Sequence, residues 1–256
     1  MNSTLIAIIL FLTFSSAQAA SEGSVSKVLF VGDSHSYGNF GKVLDKYLRT
    51  RASDVLSISS CGSSPSTWTT DKGNFKTTNC GYWRRSAIDK EIRVKSHQMN
   101  SFSQEFDTLK PDVTVISLGT NILSSEGDIQ REKKHIEKMI QYARKGGSQC
   151  VWIGPPDLAR DPYKKNLPKG IAEIKAVVEK NDCIYIDSAR LIKYPQGSSD
   201  GIHYGPQDAT KWGEAVQKAL DSQWSQIEAA SQRERRKASA GKSLEGTSTT
   251  SSKGAK

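Results

Sequence analysis

Short apolar runs alternate along this chain with stretches in which apolar residues recur every three or four positions. The runs "KVLFVGD" (27–33), "DVLSIS" (54–59), "DVTVISLG" (112–119), "CVWIGPP" (150–156) and "CIYIDS" (183–188) are bounded by turn residues. Most are rich in β-branched side chains, which predicts buried strands. A helical pattern follows the first run through Arg49, and in a later one Ile129, Ile136, Ile140 and Ala143 share a face. Two more lie around "GIAEIKAVVEK" and in "PQDATKWGEAVQKALDSQW", where Pro206 is a start signal. Strands separated by such helices predict an α/β fold in three layers, a five-stranded parallel sheet with helices on both faces.

Open parallel sheets bind ligands beyond the carboxyl ends of their strands. Here those ends carry "GDSHS", "CGSSPS", "GTN" and "GPPD", and the fifth strand is followed after a loop by "SSDGIHYG". Glycine and small polar residues are thus gathered at one edge. A serine hydroxyl needs a neighbouring base to become a nucleophile, and imidazole is the side chain suited to that task. His203 is the histidine at this edge near the far end of the chain, and Asp200, three residues earlier, can hold its other ring nitrogen. A blander reading stands beside each residue: Ser34 or Asp33 as a helix cap, Gly62 as a turn glycine, Asn121 as a cap after the third strand.

The four marks resemble those of the SGNH (GDSL) hydrolase superfamily, and they come in its order. Ser34 lies in "VGDSHS", Gly62 in "SSCGSS", Asn121 in "SLGTN", and Asp200 and His203 in "SDGIHY". The resemblance runs from about Lys27 to Trp224 and implies a flavodoxin-like α/β/α fold, a serine ester hydrolase and no cofactor. It implies Ser34 as nucleophile, His203 and Asp200 as its base and orienter, and an oxyanion hole of the Ser34 and Gly62 N–H groups with the Asn121 amide. His35 replaces the leucine of the usual G-D-S-L motif. The resulting "GDSH" is similar to SGNH domains that handle acetyl groups on bacterial envelope glycans, which makes His35 a candidate substrate contact.

The segment from Cys61 to Lys110 is long and carries Trp68, Phe75, Tyr82, Trp83, Arg84 and Arg85. Long loops in compact domains are usually functional. Trp68, Trp83 and Arg84 are therefore candidate sugar contacts, the competing reading being a lid whose aromatics form a small core of their own. His97 and His135 sit in charged helical surroundings and read as surface residues.

The chain ends differ from the middle. "LIAIILFLTF" followed by "AQA" at 17–19 reads as a secretory signal over residues 1–19. The run is shorter than the roughly 20 apolar residues a membrane span needs, and no later segment is apolar enough. Export permits disulfides among Cys61, Cys80, Cys150 and Cys183. Four cysteines allow three pairings; Cys150 and Cys183 each open a strand, and adjacent parallel strands would bring them together. Cys61 with Cys80 would close a short loop. No spacing here suits zinc, so no metal is expected.

The net charge of +9 is concentrated at the C-terminus, where residues 233–256 hold seven Lys/Arg against two Asp/Glu. The Ser/Thr/Gly-rich end predicts a single domain over 20–230 and a disordered tail over 231–256. A basic tail can adhere weakly to anionic envelope polymers. Nucleic acid is not an expected partner, and nothing in the pattern calls for more than a monomer. The overall expectation is a periplasmic or secreted esterase acting on acetylated carbohydrate.

Overall fold

The computed structural model describes residues 24–70, 76–77, 80–89, 91–197 and 200–248. The expected signal segment lies outside the described residues, as does the end of the tail from 249 onward. In chain order the elements begin with β1 (Lys27–Gly32), α1 (Ser34–Tyr37), α2 (Asn39–Leu48), β2 (Asp54–Ser60) and α3 (Pro65–Thr69). Short strands β3 (Lys76–Thr77), β4 (Tyr82–Arg85), β5 (Ile92–Val94) and β6 (His97–Gln98) lead to α4 (Phe102–Leu109) and β7 (Val113–Ser117). A 3-10 turn (Thr120–Ile122) precedes α5 (Glu126–Lys145), β8 (Gln149–Ile153), α6 (Tyr163–Lys180) and β9 (Ile184–Ile186). Two helices close the chain, α7 (Ser188–Leu191) and α8 (Pro206–Ser248).

The five expected strands are parallel and adjacent in the order β2-β1-β7-β8-β9. The sheet is nevertheless larger than the five-stranded one expected. β4 pairs antiparallel with β2 and β5 antiparallel with β4, giving seven strands in a mixed sheet. The long aromatic segment supplies both additions and so covers the edge of β2.

Alternation along each strand builds two cores. Leu29 and Val31 of β1, Leu56 and Ile58 of β2 and Trp152 of β8 face α3 to α6. Val28, Phe30, Val55, Val151 and Ile153 face α2 and α8. Side chains two apart share a face because a strand repeats every second residue. Trp212, Val216, Leu220, Trp224 and Ile227 dock α8 on that second face. Burial of each contributes about 1.5–3 kcal/mol.

α8 also corrects the expected tail. It does not stop near residue 230. Ser231 is fully buried and donates to the Asp112 carbonyl at 3.0 Å, and Arg235 pairs with the Asp112 carboxylate at 2.9 Å. Glu234 meets Arg144 at 3.2 Å. Small and charged residues thus continue the docking where bulky apolar ones end, and the helix runs to Ser248. Among the described residues no helix is long and apolar enough to cross a membrane.

The cysteines pair as Cys61–Cys80 and Cys150–Cys183. The second bridge is buried and joins the start of β8 to the residue before β9. The first ties the end of β2 to the residues leading into β4.

Candidate active site

β1 ends at Gly32, and the chain turns at once into the four-residue helix α1. Asp33 caps that helix, its Oδ1 accepting the His35 N–H at 3.0 Å. The capping role therefore belongs to Asp33, and Ser34 is free for other work. Ser34 Oγ lies 3.0 Å from His203 Nε2. His203 Nδ1 lies 2.6 Å from Asp200 Oδ2, so a continuous serine–histidine–carboxylate relay is formed.

The loop that delivers His203 is shaped by its own aspartate. Asp200 Oδ1 accepts the N–H groups of Ile202 at 2.8 Å and His203 at 2.7 Å. Gly201 sits between them at φ +73°, and a Cβ there would come within 2.5 Å of the Arg160 Cβ. Its carbonyl accepts N–H bonds from Ala159 and Arg160, which ties the loop to the segment after β8. Tyr194 donates its hydroxyl to the His203 carbonyl at 3.1 Å, and Tyr204 donates to the Asp157 carbonyl at 2.7 Å. Burial by itself would push the Asp200 carboxyl up. The His203 ring, the two backbone N–H donors and the histidine's charge outweigh it and bring Asp200 down to about 2. It stays ionised and holds the Nδ1–H tautomer of the ring.

Gly62 follows β2 at φ +75°, a conformation an L side chain adopts only with strain. Ser63, fully buried, is the hinge of this corner. Its hydroxyl donates to the Gly32 carbonyl at 3.4 Å and accepts the Trp68 indole N–H at 3.1 Å. Its carbonyl accepts one Asn121 amide hydrogen at 2.8 Å. The ends of β1, β2 and β7 are thus tied together through one serine, which sequence reading passed over because a small polar loop residue carries no distinguishing signal.

A cleft of about 300 Å³ opens beside Ser34 and His203, walled by Tyr37, Phe40, Cys80, Tyr204 and Trp212. His35 also borders it, although 6% exposed, with its ring 5.3 Å from that of His203. Burial and the charge of His203 lower His35 to about 3, against a smaller opposing effect of Asp200. It is a neutral wall residue.

The other expected sugar contacts are displaced. Trp68 is fully buried and Trp83 is 1% exposed, with its indole N–H on Glu91 at 2.9 Å. Arg84 is held by Glu105 at 2.7 Å. These side chains face inward because β4 pairs with the sheet edge at β2 and α3 packs Trp68 into the core. The aromatic residues that do face the cleft, Tyr37, Phe40, Tyr204 and Trp212, come from α1, α2, the histidine loop and α8. His97 stacks on Tyr82 at 4.0 Å, and His135 bonds the Thr69 hydroxyl at 2.6 Å, so both are half-buried packing residues and not free surface ones.

Residues 28–216 match the family model described as GDSL-like Lipase/Acylhydrolase. The chain belongs to that family. Protein BcsX of Komagataeibacter xylinus is 25% identical over 205 residues, covering 75% of each chain. A carbohydrate acetylesterase family member from Sinorhizobium meliloti has a similar structure, with a TM-score of 0.55 at 16% identity over 77% of this chain and 98% of that one. An inhibitor-bound aryl esterase of M. smegmatis gives 0.54 at 14% identity over 77% and 99%. The family is one of acylhydrolases and esterases, and these two structures share the mixed α/β fold.

Proposed function

We propose that this acylhydrolase is an exported carbohydrate O-acetylesterase that works through an acyl-serine intermediate on Ser34. The observation that carries the reading is the unbroken relay from Ser34 Oγ through His203 to Asp200, at 3.0 and 2.6 Å. His203 Nε2 takes the serine proton as Oγ attacks the ester carbonyl, and Asp200 holds the imidazolium that forms. The tetrahedral oxyanion is met by the N–H groups of Ser34 and Gly62 and by the Asn121 amide. Asn121 has two amide hydrogens; the Ser63 carbonyl holds one and so aims the other. His203 then gives its proton to the departing sugar oxygen. Water, activated by the same ring, releases acetate and restores Ser34.

The acetyl preference is supported by the structural likeness to the carbohydrate acetylesterase family member of Sinorhizobium meliloti. Export is supported by the leader-like sequence and by the two disulfides. Transfer of the acetyl group to a second sugar is the other reading, favoured by one observation. The His203 side chain is 50% exposed, so a sugar hydroxyl can reach its Nε2 in place of water.

The test is turnover of acetyl, butyryl and octanoyl p-nitrophenyl esters, and acetate release from an acetylated polysaccharide, each with Ser34→Ala alongside. Activity confined to the acetyl ester and lost in the variant is the expected result. Faster turnover of longer acyl chains overturns the acetyl preference. Acetylated oligosaccharide formed faster than acetate establishes transfer.

A further inference from the structure

Behind the nucleophile turn lies a second, smaller space. It measures about 10 Å³ and is bordered by Asp33, His35, Trp212 and the ends of β7 and β8, including Ser117, Thr120 and Pro155. That is room for one water molecule. Three side-chain atoms of its lining residues are buried with no hydrogen-bond partner in the protein: Asp33 Oδ2, His35 Nε2 and Trp212 Nε1. The residues are 1%, 6% and 1% exposed. Leaving such atoms unpaired costs about 1–3 kcal/mol each. Three of them around one cavity is a pattern a ligand would resolve.

We propose that this cavity binds a single structural water joining Asp33, His35 and Trp212, and that Asp33, held there, is a positioning residue whose negative charge acts on His203, the ring of His35 on the same turn lying 5.3 Å from that of His203. The second half of the proposal rests on the serine-esterase reading given above.

The bonding count closes. The indole N–H can only donate, so the water accepts it. The water's two hydrogens then go to the Asp33 carboxylate and to the lone pair of neutral His35 Nε2. Three bonds is the usual complement of a buried water. If Asp33 takes up a proton, its hydroxyl donates to the water instead, and all three protein atoms keep a partner. The carboxyl can therefore change charge without disturbing the packing. Asp33 Oδ1 is already fixed by the His35 N–H, and Trp212 is fixed by stacking on Phe40 at 3.7 Å. His35 and Trp212 border both spaces, so their rings, 5.2 Å apart, are the partition between cavity and cleft.

The titratable neighbours are few. His35 lies on the same turn, and His203 acts from the last loop with Asp200 beside it. β7, the 3-10 turn and β8 present Ser117, Leu118, Thr120, Ile153 and the Gly154–Pro156 turn to the cavity, none of them ionisable, and α8 presents Trp212. Burial raises the Asp33 carboxyl to about 7, while the His35 N–H and the charge of His203 oppose the rise. The coupling is reciprocal: an ionised Asp33 favours the His203 imidazolium that forms as Ser34 attacks.

Two measurements test this. Asp33→Asn keeps the capping oxygen and the shape but removes the charge. Its kcat/KM on p-nitrophenyl acetate should nearly equal wild type at about pH 5.5, where Asp33 is protonated, and lag roughly fivefold to tenfold by about pH 9. A ratio independent of pH, including a ratio of one, overturns the electrostatic role. The second is a crystal structure of the wild-type protein at a resolution that orders buried water. A water within hydrogen-bond reach of all three atoms is expected, and an empty cavity overturns the site. This second readout does not depend on activity, so its failure is distinct from loss of the esterase reading, which Ser34→Ala alone decides.

Discussion

The two halves of the site are held in different ways. The corner after β2 is cross-braced around the buried Cys61 and Ser63, with Gly62 itself exposed: Cys61–Cys80 on one side, Ser63 bonded to Gly32, Trp68 and Asn121 on the other. Ser66 adds a pair of bonds to Glu132 at 2.6 and 2.7 Å. The loop carrying Asp200 and His203 is half-exposed and held by backbone bonds to Asp200 and Gly201 and by the hydroxyls of Tyr194 and Tyr204. The division fits the chemistry. Oxyanion donors act only if they are aimed before charge develops, so their support is rigid. In the proposed mechanism the histidine moves a proton from serine to leaving group, and needs a fixed tautomer more than a fixed cage.

Substitutions can break this contrast, and the largest effect belongs to neither half. Ser34→Ala removes the attacking atom and should lower kcat by about 10⁴-fold or more on acetyl esters, with folding unchanged by circular dichroism. Asn121→Ala takes one donor from the rigid half and should cost roughly 10²–10³-fold in kcat with little change in KM, read from initial rates. Ser63→Ala tests whether the bracing matters beyond stability. A drop of roughly tenfold in kcat is expected, alongside a loss of roughly 2–4 kcal/mol from two broken buried bonds and an orphaned Trp68 indole N–H, with urea melts and kinetics run together. Tyr194→Phe, on the looser half, should slow turnover only about twofold to threefold, because the His203 carbonyl it serves can turn to solvent. If Tyr194→Phe proves worse than Ser63→Ala, the assignment of rigidity to the oxyanion corner is wrong.

The smallest effect concerns stability and pH. Folding lowers His35 from 6.5 to about 3 and raises Asp33 from 3.8 to about 7. Between about pH 4 and 6.5 the unfolded chain holds a proton on His35 that the folded chain lacks. Over the same range the folded chain holds one on Asp33 that the unfolded chain lacks. The two slopes oppose each other. In Asp33→Asn only the histidine remains, so the unfolded state binds more protons and stability should fall as pH drops through this window. In His35→Leu only the aspartate remains, and stability should rise as pH drops. Thermal melts at both ends of the window read the two signs.

The parts of the molecule that were legible from sequence share a property: each is written in a few adjacent residues. The five parallel strands are continuous apolar runs, Ser34 and Asn121 sit in short strings at strand ends, and His203 sits in one just before α8. What was not legible depends on distant partners. β4 is short and carries Arg84 and Arg85, whose charges are met by Glu105 and Asp45, 21 and 40 positions away. Trp68 and Trp83 look the same in sequence whether they face a sugar or a core. The continuation of α8 past Ala230 is packed by Ser231, Glu234 and Arg235 against Asp112 and Arg144, residues about 90 to 120 positions earlier.

The central claim is that Ser34 carries the acyl group. It is tested most directly by mixing the protein with p-nitrophenyl acetate, quenching in acid within the first turnovers and mapping the modified peptide by mass spectrometry. An acetyl group on the Ser34 peptide, absent in Ser34→Ala, is the predicted result. Acetyl found on another residue, with turnover persisting in Ser34→Ala, would contradict it.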